Sequence, residues 1–107
     1  MMKRVPLVTI AHARSGDKGN SCNIGVIARR PEYYPLMVDQ LTVERVREHF
    51  NGLVQGAIAR YEMPSIQAIN FVLEEALGGG ATASLRADNQ GKTMGGALLR
   101  LTVDLPE

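Results

Sequence analysis

The sequence is poor in cysteine and in aromatic residues, and both scarcities restrict what the chain can be. Cys22 is the single cysteine, so no disulfide can form within the chain and no cysteine-based zinc cluster can be assembled. Tryptophan is absent, and only two phenylalanines and three tyrosines occur among 107 residues. With 45% hydrophobic residues the chain still has enough apolar content for a globular core. That core is predicted to be largely aliphatic.

A strong excess of either charge is also missing. Lys and Arg number 12 against 11 Asp and Glu, and they are spread along the chain. Without a basic stripe or a polybasic patch, neither nucleic acid nor a membrane surface is an expected partner. No run approaches the roughly 20 apolar residues of a membrane span, and the first residues lack a signal-peptide cleavage pattern. We therefore expect a cytoplasmic protein.

The apolar spacing predicts one α+β domain over residues 1–107. Residues 36–50 have helical spacing, with a break near Leu41 where Thr42 could cap a second helical piece. A second helix is predicted over 65–77, where apolar residues form one stripe. The segments predicted as strands are 5–12, 22–29, 53–63, 82–86 and 97–105.

The resulting order is β-β-α-β-α-β-β, and the segment 87–96 is predicted to be a loop. Both helices must bury their apolar stripes, and one face of a single sheet can serve them both. The expected architecture is a two-layer sandwich with two helices on one face of a mixed sheet.

The segment "HARSGDKGNSCN", residues 12–23, is the main candidate for a functional site. Its glycines could aim successive N–H groups at one anion, and its two cations could add charge. The alternative is a structural loop in which Asp and Asn side chains satisfy the loop's own N–H groups. The candidate ligand-binding residues are His12, Arg14, Ser15, Gly16, Asp17, Lys18, Gly19, Asn20 and Asn23.

The remaining candidates are single residues. His12 is the best-placed acid or base, although a structural hydrogen bond is the commoner role for a lone histidine. Cys22 could be a nucleophile, but burial as a small apolar residue is more usual. His49 is expected to cap carbonyls near the end of the first helix, and Tyr61 and Asn70 to pack a turn unless the first loop folds over them. No catalytic residue and no metal site is predicted.

Two Gly-rich stretches lack the context of a nucleotide site, so no cofactor is predicted. "GGGATA", residues 78–83, follows a predicted helix, whereas the dinucleotide fingerprint must follow a strand. "GKT", residues 91–93, has Arg86 where a phosphate-binding loop needs its first glycine, and a strand is predicted after it.

Three ordered blocks of the sequence resemble the small AtuA-like domain associated with acyclic terpene utilisation proteins. These blocks are "ARSGDKGNSCNIGVIAR" (13–29), "RYEMPSIQAINFVLEEALGGG" (60–80) and "LRADNQGKTMGGALL" (85–99). The resemblance covers most of the chain and is weakest over residues 31–50.

The resemblance implies a ferredoxin-like fold and a link to bacterial breakdown of acyclic terpenes and related acyl-CoA compounds. In that family the domain is the C-terminal part of a larger AtuA protein or a separate short chain, so a large AtuA-type chain is one expected partner. A ferredoxin-like βαββαβ order needs two strands between its helices, whereas the spacing predicts one. We expect a small accessory subunit that associates with such a chain or with itself. The alternative is an autonomous enzyme or binder of an anionic acyl-CoA-type metabolite.

Overall fold

The computed structural model describes residues 2–18, 21–50, 54, 56–75 and 90–106, without the side chains of 17, 18 and 90–93. Three 3-10 turns (Leu7–Thr9, Pro31–Tyr33 and Pro64–Ile66) join longer elements. The strands of the described part are β1 (Met2–Pro6), β2 (Ala11–Lys18), β3 (Ser21–Ala28), β4 (Ile58–Met63), β5 (Ala68–Leu73) and β6 (Thr102–Pro106). Its helices are α1 (Tyr34–Gln40), α2 (Val43–His49) and α3 (Gln90–Leu98).

The strands form two sheets. One has four strands in the order β2-β3-β5-β4, and the other pairs β1 with β6. The single mixed sheet expected from the sequence is thus divided, and the described ladders are all antiparallel. The predicted strand 5–12 is likewise divided, because a 3-10 turn separates β1 from β2. The α+β class is confirmed.

The predicted break in the first helix is confirmed at Leu41–Thr42. Thr42 precedes α2 in an extended conformation, and its hydroxyl accepts a hydrogen bond from Arg45 N over 3.2 Å. Threonine at this position satisfies one of the free N–H groups at the start of a helix. The break lets α1 and α2 bury Met37 and Val46 separately in one core.

The helix predicted over 65–77 is wrong, because residues 68–73 form strand β5. The alternating residues Ile69, Phe71 and Leu73 are fully buried, as in a strand with one face on the core. Ile66, which the predicted helical stripe needed in the core, is 56% exposed. The apolar residues of this segment fit both the spacing of a helix and the alternation of a strand. Its β-branched and aromatic side chains favour the strand.

The loop predicted over 87–96 is also wrong from residue 90 onward, because α3 occupies Gln90–Leu98. Met94 and Leu98, one helical turn apart, are buried in the core. This packing overrides the poor helix propensity of glycine. The final strand is shorter than predicted and begins at Thr102, and the predicted strand 82–86 lies outside the described residues.

The helices and the four-stranded sheet enclose the core between them. Arg60 of β4 holds the end of α1, since Nε donates to Leu41 O over 2.7 Å and Nη2 to Val38 O over 2.8 Å. Phe50 and Phe71 are the aromatic members of the buried set in the described residues, so the aliphatic core is confirmed. No helix in that part of the chain is long and apolar enough to cross a membrane.

The element order agrees with the ferredoxin-like expectation better than the predicted order did. The described helices α2 and α3 have two strands between them in the chain, β4 and β5, where the spacing predicted one. Within the sheet, β3 lies next to β5, with β4 at one edge and β2 at the other. Strand β6 pairs with β1 in the second sheet. In the four-stranded sheet the other neighbour of β3 is therefore β2.

Candidate functional site

The predicted loop 12–23 is a β-hairpin rather than a loop. Strands β2 and β3 pair from Ala11↔Ala28 to Lys18↔Ser21. The two residues between them in sequence, 19 and 20, lie outside the described part. Gly-Asn between two strands is a recognised signal for a two-residue hairpin, and this signal was in the sequence.

The hairpin separates the predicted ligand-binding residues onto two faces, because successive strand residues point to opposite sides. His12, Arg14 and Asn23 are exposed and lie on the face away from the core. Ser15 lies on the core face opposite Ile24, which is fully buried. The described members of the predicted cluster therefore lie on both faces of the hairpin.

Ser15 contacts helix α3 instead of an open pocket. Its hydroxyl oxygen accepts a hydrogen bond from Gly95 N over 3.1 Å. A Cβ on Gly95 would lie 2.7 Å from that oxygen, so the missing side chain lets helix and strand approach closely. Ser15 is a packing residue of the hairpin.

An anion-binding turn predicts that Gly16 has a left-handed backbone or a close backbone contact, and Gly16 shows neither at its Cβ position. It lies inside β2 opposite Asn23, its φ is outside the left-handed region, and an added Cβ would meet only Asn23 Oδ1, at 3.5 Å. Asp17 and Lys18 continue the strand, paired with Cys22 and Ser21. The two cations of the segment, Arg14 and Lys18, are predicted to face a shared pocket. The side chains of residues 17 and 18 and the whole of Gly19 and Asn20 lie outside the described part, so this pocket stays a prediction.

Two residues predicted to pack a turn lie on the same face as Arg14. Asn70 of β5 pairs with Gly25 of β3 and with Tyr61 of β4, and Gly25 pairs with Arg14. The row across the sheet is Arg14, Gly25, Asn70, Tyr61. A Cβ on Gly25 would lie 3.9 Å from both Arg14 O and Asn70 Oδ1, so glycine leaves a gap between the cation and the amide.

We name this surface the open face and define it by His12, Arg14, Asn23, Asn70, Tyr61 and Met63. Tyr61 and Met63 are 55% and 41% exposed, and Ile66, in the turn that follows Met63, is also exposed. None of the described side chains on this face is a carboxylate. The contacts of Ser15 and Arg60 place the helices on the other side of the sheet.

The described residues of the open face include no paired acid and base. His12 has no hydrogen bond to a carboxylate among the described residues, whereas an activated base needs an orienting partner. Cys22 is 1% exposed, as expected for a small apolar residue. Within the described residues no three His, Cys, Asp or Glu side chains could hold a metal ion.

The secondary structure near the two Gly-rich stretches differs from the prediction. Residues 68–73, predicted as part of the helix before 78–83, form strand β5, and residues 78–83 themselves lie outside the described part. Residues 91–93 lie in the first turn of α3, where a strand was expected to follow them. The absence of a glycine at Arg86 still excludes the phosphate-binding loop.

Comparison with known proteins places the chain in one family. No curated protein and no solved structure matches it. A family model, the AtuA ferredoxin-like domain, matches residues 5–104. The match spans both strands of the hairpin, the open face and the described helices. The chain therefore belongs to the AtuA ferredoxin-like domain family.

Proposed function

We propose that the chain is an accessory domain that docks on a large AtuA-type chain through the open face and helps to form its ligand site. Family membership supports the AtuA-type partner. The observation that carries the docking surface is the exposure of Tyr61 and Met63 on the same sheet face as exposed Arg14, with no described helix over that face.

The composition of the open face favours a protein partner. Tyrosine, methionine and arginine are enriched in protein–protein interfaces, and lysine, aspartate and glutamate are depleted. The face has exposed Tyr61, Met63 and Arg14, and no carboxylate among its described side chains. Because two copies of a cationic face repel each other, the complementary surface belongs to a different chain, one with carboxylates around an apolar centre.

The charge of the face also suits an anionic ligand at the boundary with the partner. Arg14 and His12 lie two residues apart on the exposed side of β2, and the Gly25 gap lies beside Arg14. We propose that an anionic metabolite contacts Arg14 there once the partner covers the face. By family resemblance, its context is the breakdown of acyclic terpenes or related acyl-CoA compounds in the cytoplasm.

Two experiments on the full 107-residue chain test this function. Co-expression with a large AtuA-type chain is expected to give a complex that survives gel filtration, and separate elution of the two chains would contradict docking. The chain alone is expected to turn over no acyl-CoA thioester. Hydrolysis or hydration by the purified chain, abolished in His12→Ala, would instead establish the autonomous enzyme.

A further inference from the structure

A second cationic surface lies on the helix side of the molecule, where α2 meets the turn between α3 and β6. It is an open cleft of about 350 Å³. This volume falls within the roughly 300–1,000 Å³ typical of small-molecule sites. The residues that line it are Arg45, Glu48, His49, Arg100, Leu101 and Thr102.

Arg45 is fixed in this cleft by backbone carbonyls rather than by an acid. Its Nη2 donates to Thr102 O over 2.5 Å and its Nη1 to Gln40 O over 3.2 Å. A guanidinium has five N–H donors, so three remain for a ligand. Because two bonds already hold the group in place, a ligand would not have to immobilise it.

His49 is fixed in the same way, by a contact that the sequence did not predict. Its Nε2 donates to Ala97 O of α3 over 2.7 Å, so it caps carbonyls of α3 rather than those at the end of its own helix. Its ring forms an edge-to-face pair with the ring of Phe50. These contacts hold α2 against α3 and fix one wall of the cleft.

Among the residues that the structure describes, the arginines of the cleft have no salt-bridge partner. In the described part of the chain the salt bridges join Arg4 with Asp104 and Arg60 with Glu62, so Arg45 and Arg100 take part in neither. Glu48 is the one carboxylate among the lining residues. Among the described residues that line this cleft, two permanent cations and a histidine accompany one acid, while Arg45 also borders a second cleft that contains Asp39 and Asp104. The lining of the first cleft is thus complementary to an anion.

We propose that this cleft binds the phosphate group of a small phosphorylated molecule. Arginine presents its donors in a planar fork that matches phosphate oxygens. The guanidinium of Arg45 is held in place and still has N–H donors for a ligand. The side chain of Arg100 is exposed and makes no hydrogen bond within the described residues, so it can contact the anion from the other side. The site is independent of the open face and of the docking function proposed above.

The test titrates inorganic phosphate into the full isotope-labelled chain at low salt and follows the amide signals of Leu101 and Thr102. The signals are expected to shift saturably, and Arg100→Ala is expected to weaken binding about tenfold, since it removes a charged hydrogen bond. Arg47→Ala is the matched control, because Arg47 also lies on α2 but bonds Gly56 O outside the cleft. It should change the affinity by less than about twofold, as for a screened surface charge.

Three results would overturn the proposal. They are the absence of saturable shifts, equal weakening by Arg100→Ala and Arg47→Ala, and binding of acetate as tight as that of phosphate. The last result would show a site for any oxyanion rather than for a phosphate group. Arg45→Lys supplies a second variant that keeps the charge and loses the fork, and it should also weaken phosphate binding.

Discussion

The side chain of Gln40 pairs with the backbone of Asp104 as a neighbouring strand would. Gln40 Nε2 donates to Asp104 O over 2.8 Å, and Gln40 Oε1 accepts from Asp104 N over 2.7 Å. Arg45 adds a bond to Thr102 O on the same strand. The edge of β6 that does not pair with β1 is therefore covered by helix side chains, which protects it from pairing with another chain.

Loss of this contact should destabilise the fold. We expect Gln40→Ala to lower the free energy of unfolding by about 1–3 kcal/mol, because two hydrogen bonds are lost and the groups of Asp104 lose their partner. Urea denaturation measures the change. Asp39→Ala is the control, since Asp39 is exposed on the same helix and its side chain makes no hydrogen bond within the described residues. Equal stability of Gln40→Ala and Asp39→Ala would contradict the role of the contact.

The adjacent glycines of α3 should respond in opposite directions. In Gly95→Ala the new Cβ would lie 2.7 Å from Ser15 Oγ and 3.2 Å from Ser15 Cβ, so the helix must shift. We expect a loss of about 1–3 kcal/mol. A Cβ on Gly96 meets nothing within 4 Å, so Gly96→Ala should gain about 0.5–1 kcal/mol from helix propensity. If both variants change the free energy of unfolding alike, the close approach of α3 to β2 does not contribute to stability.

Substitutions of two neighbouring hairpin residues, Ser15 and Arg14, should affect stability and binding separately. Ser15→Ala removes the acceptor for Gly95 N and should lower the melting temperature, corresponding to about 1 kcal/mol. Arg14→Ala, on the exposed side, should leave the melting temperature unchanged and weaken binding to the large AtuA-type chain. Thermal unfolding and titration calorimetry check the two effects. If Ser15→Ala weakens docking without loss of stability, the assignment of stability to the core face and of docking to the open face is wrong.

Self-association should use sheet edges rather than the open face. Strands β2 and β4 are the edges of the four-stranded sheet, and an exposed edge can pair with another chain. We expect at least a homodimer when the chain is expressed alone. Light scattering that finds only monomer at high micromolar concentration would contradict this expectation.

Local signals were sufficient for some elements and misleading for others. The α1–α2 break follows from helical spacing and a capping Thr42, both of which act over a few residues. The apolar residues around Phe71 fit helical spacing and strand alternation equally well. The segment forms a strand because it pairs with β3 and β4. In α3, Gly95 has a role only because Ser15 lies against it, 80 residues away in sequence.

The candidate site was found only in part for the same reason. The segment 12–23 was identified from composition, but which of its residues share a face depends on the register of β2 with β3. Asn70 and Tyr61 join Arg14 through β3 and β5, which no local pattern near Arg14 indicates. The Gly-Asn pair at 19–20 was the missed signal for a hairpin.

Docking through the open face is tested most directly by a pair of identical substitutions on different sheets. Met63 lies on the open face and is 41% exposed, and Met2 lies on β1 and is 50% exposed. With the purified large AtuA-type chain, calorimetry should show that Met63→Asp weakens binding at least about tenfold, as expected when a charge replaces an apolar interface residue. Met2→Asp should bind like the unchanged chain. Equal affinities of the two variants, both folded, or weakening by Met2→Asp alone would contradict the open face as the docking surface.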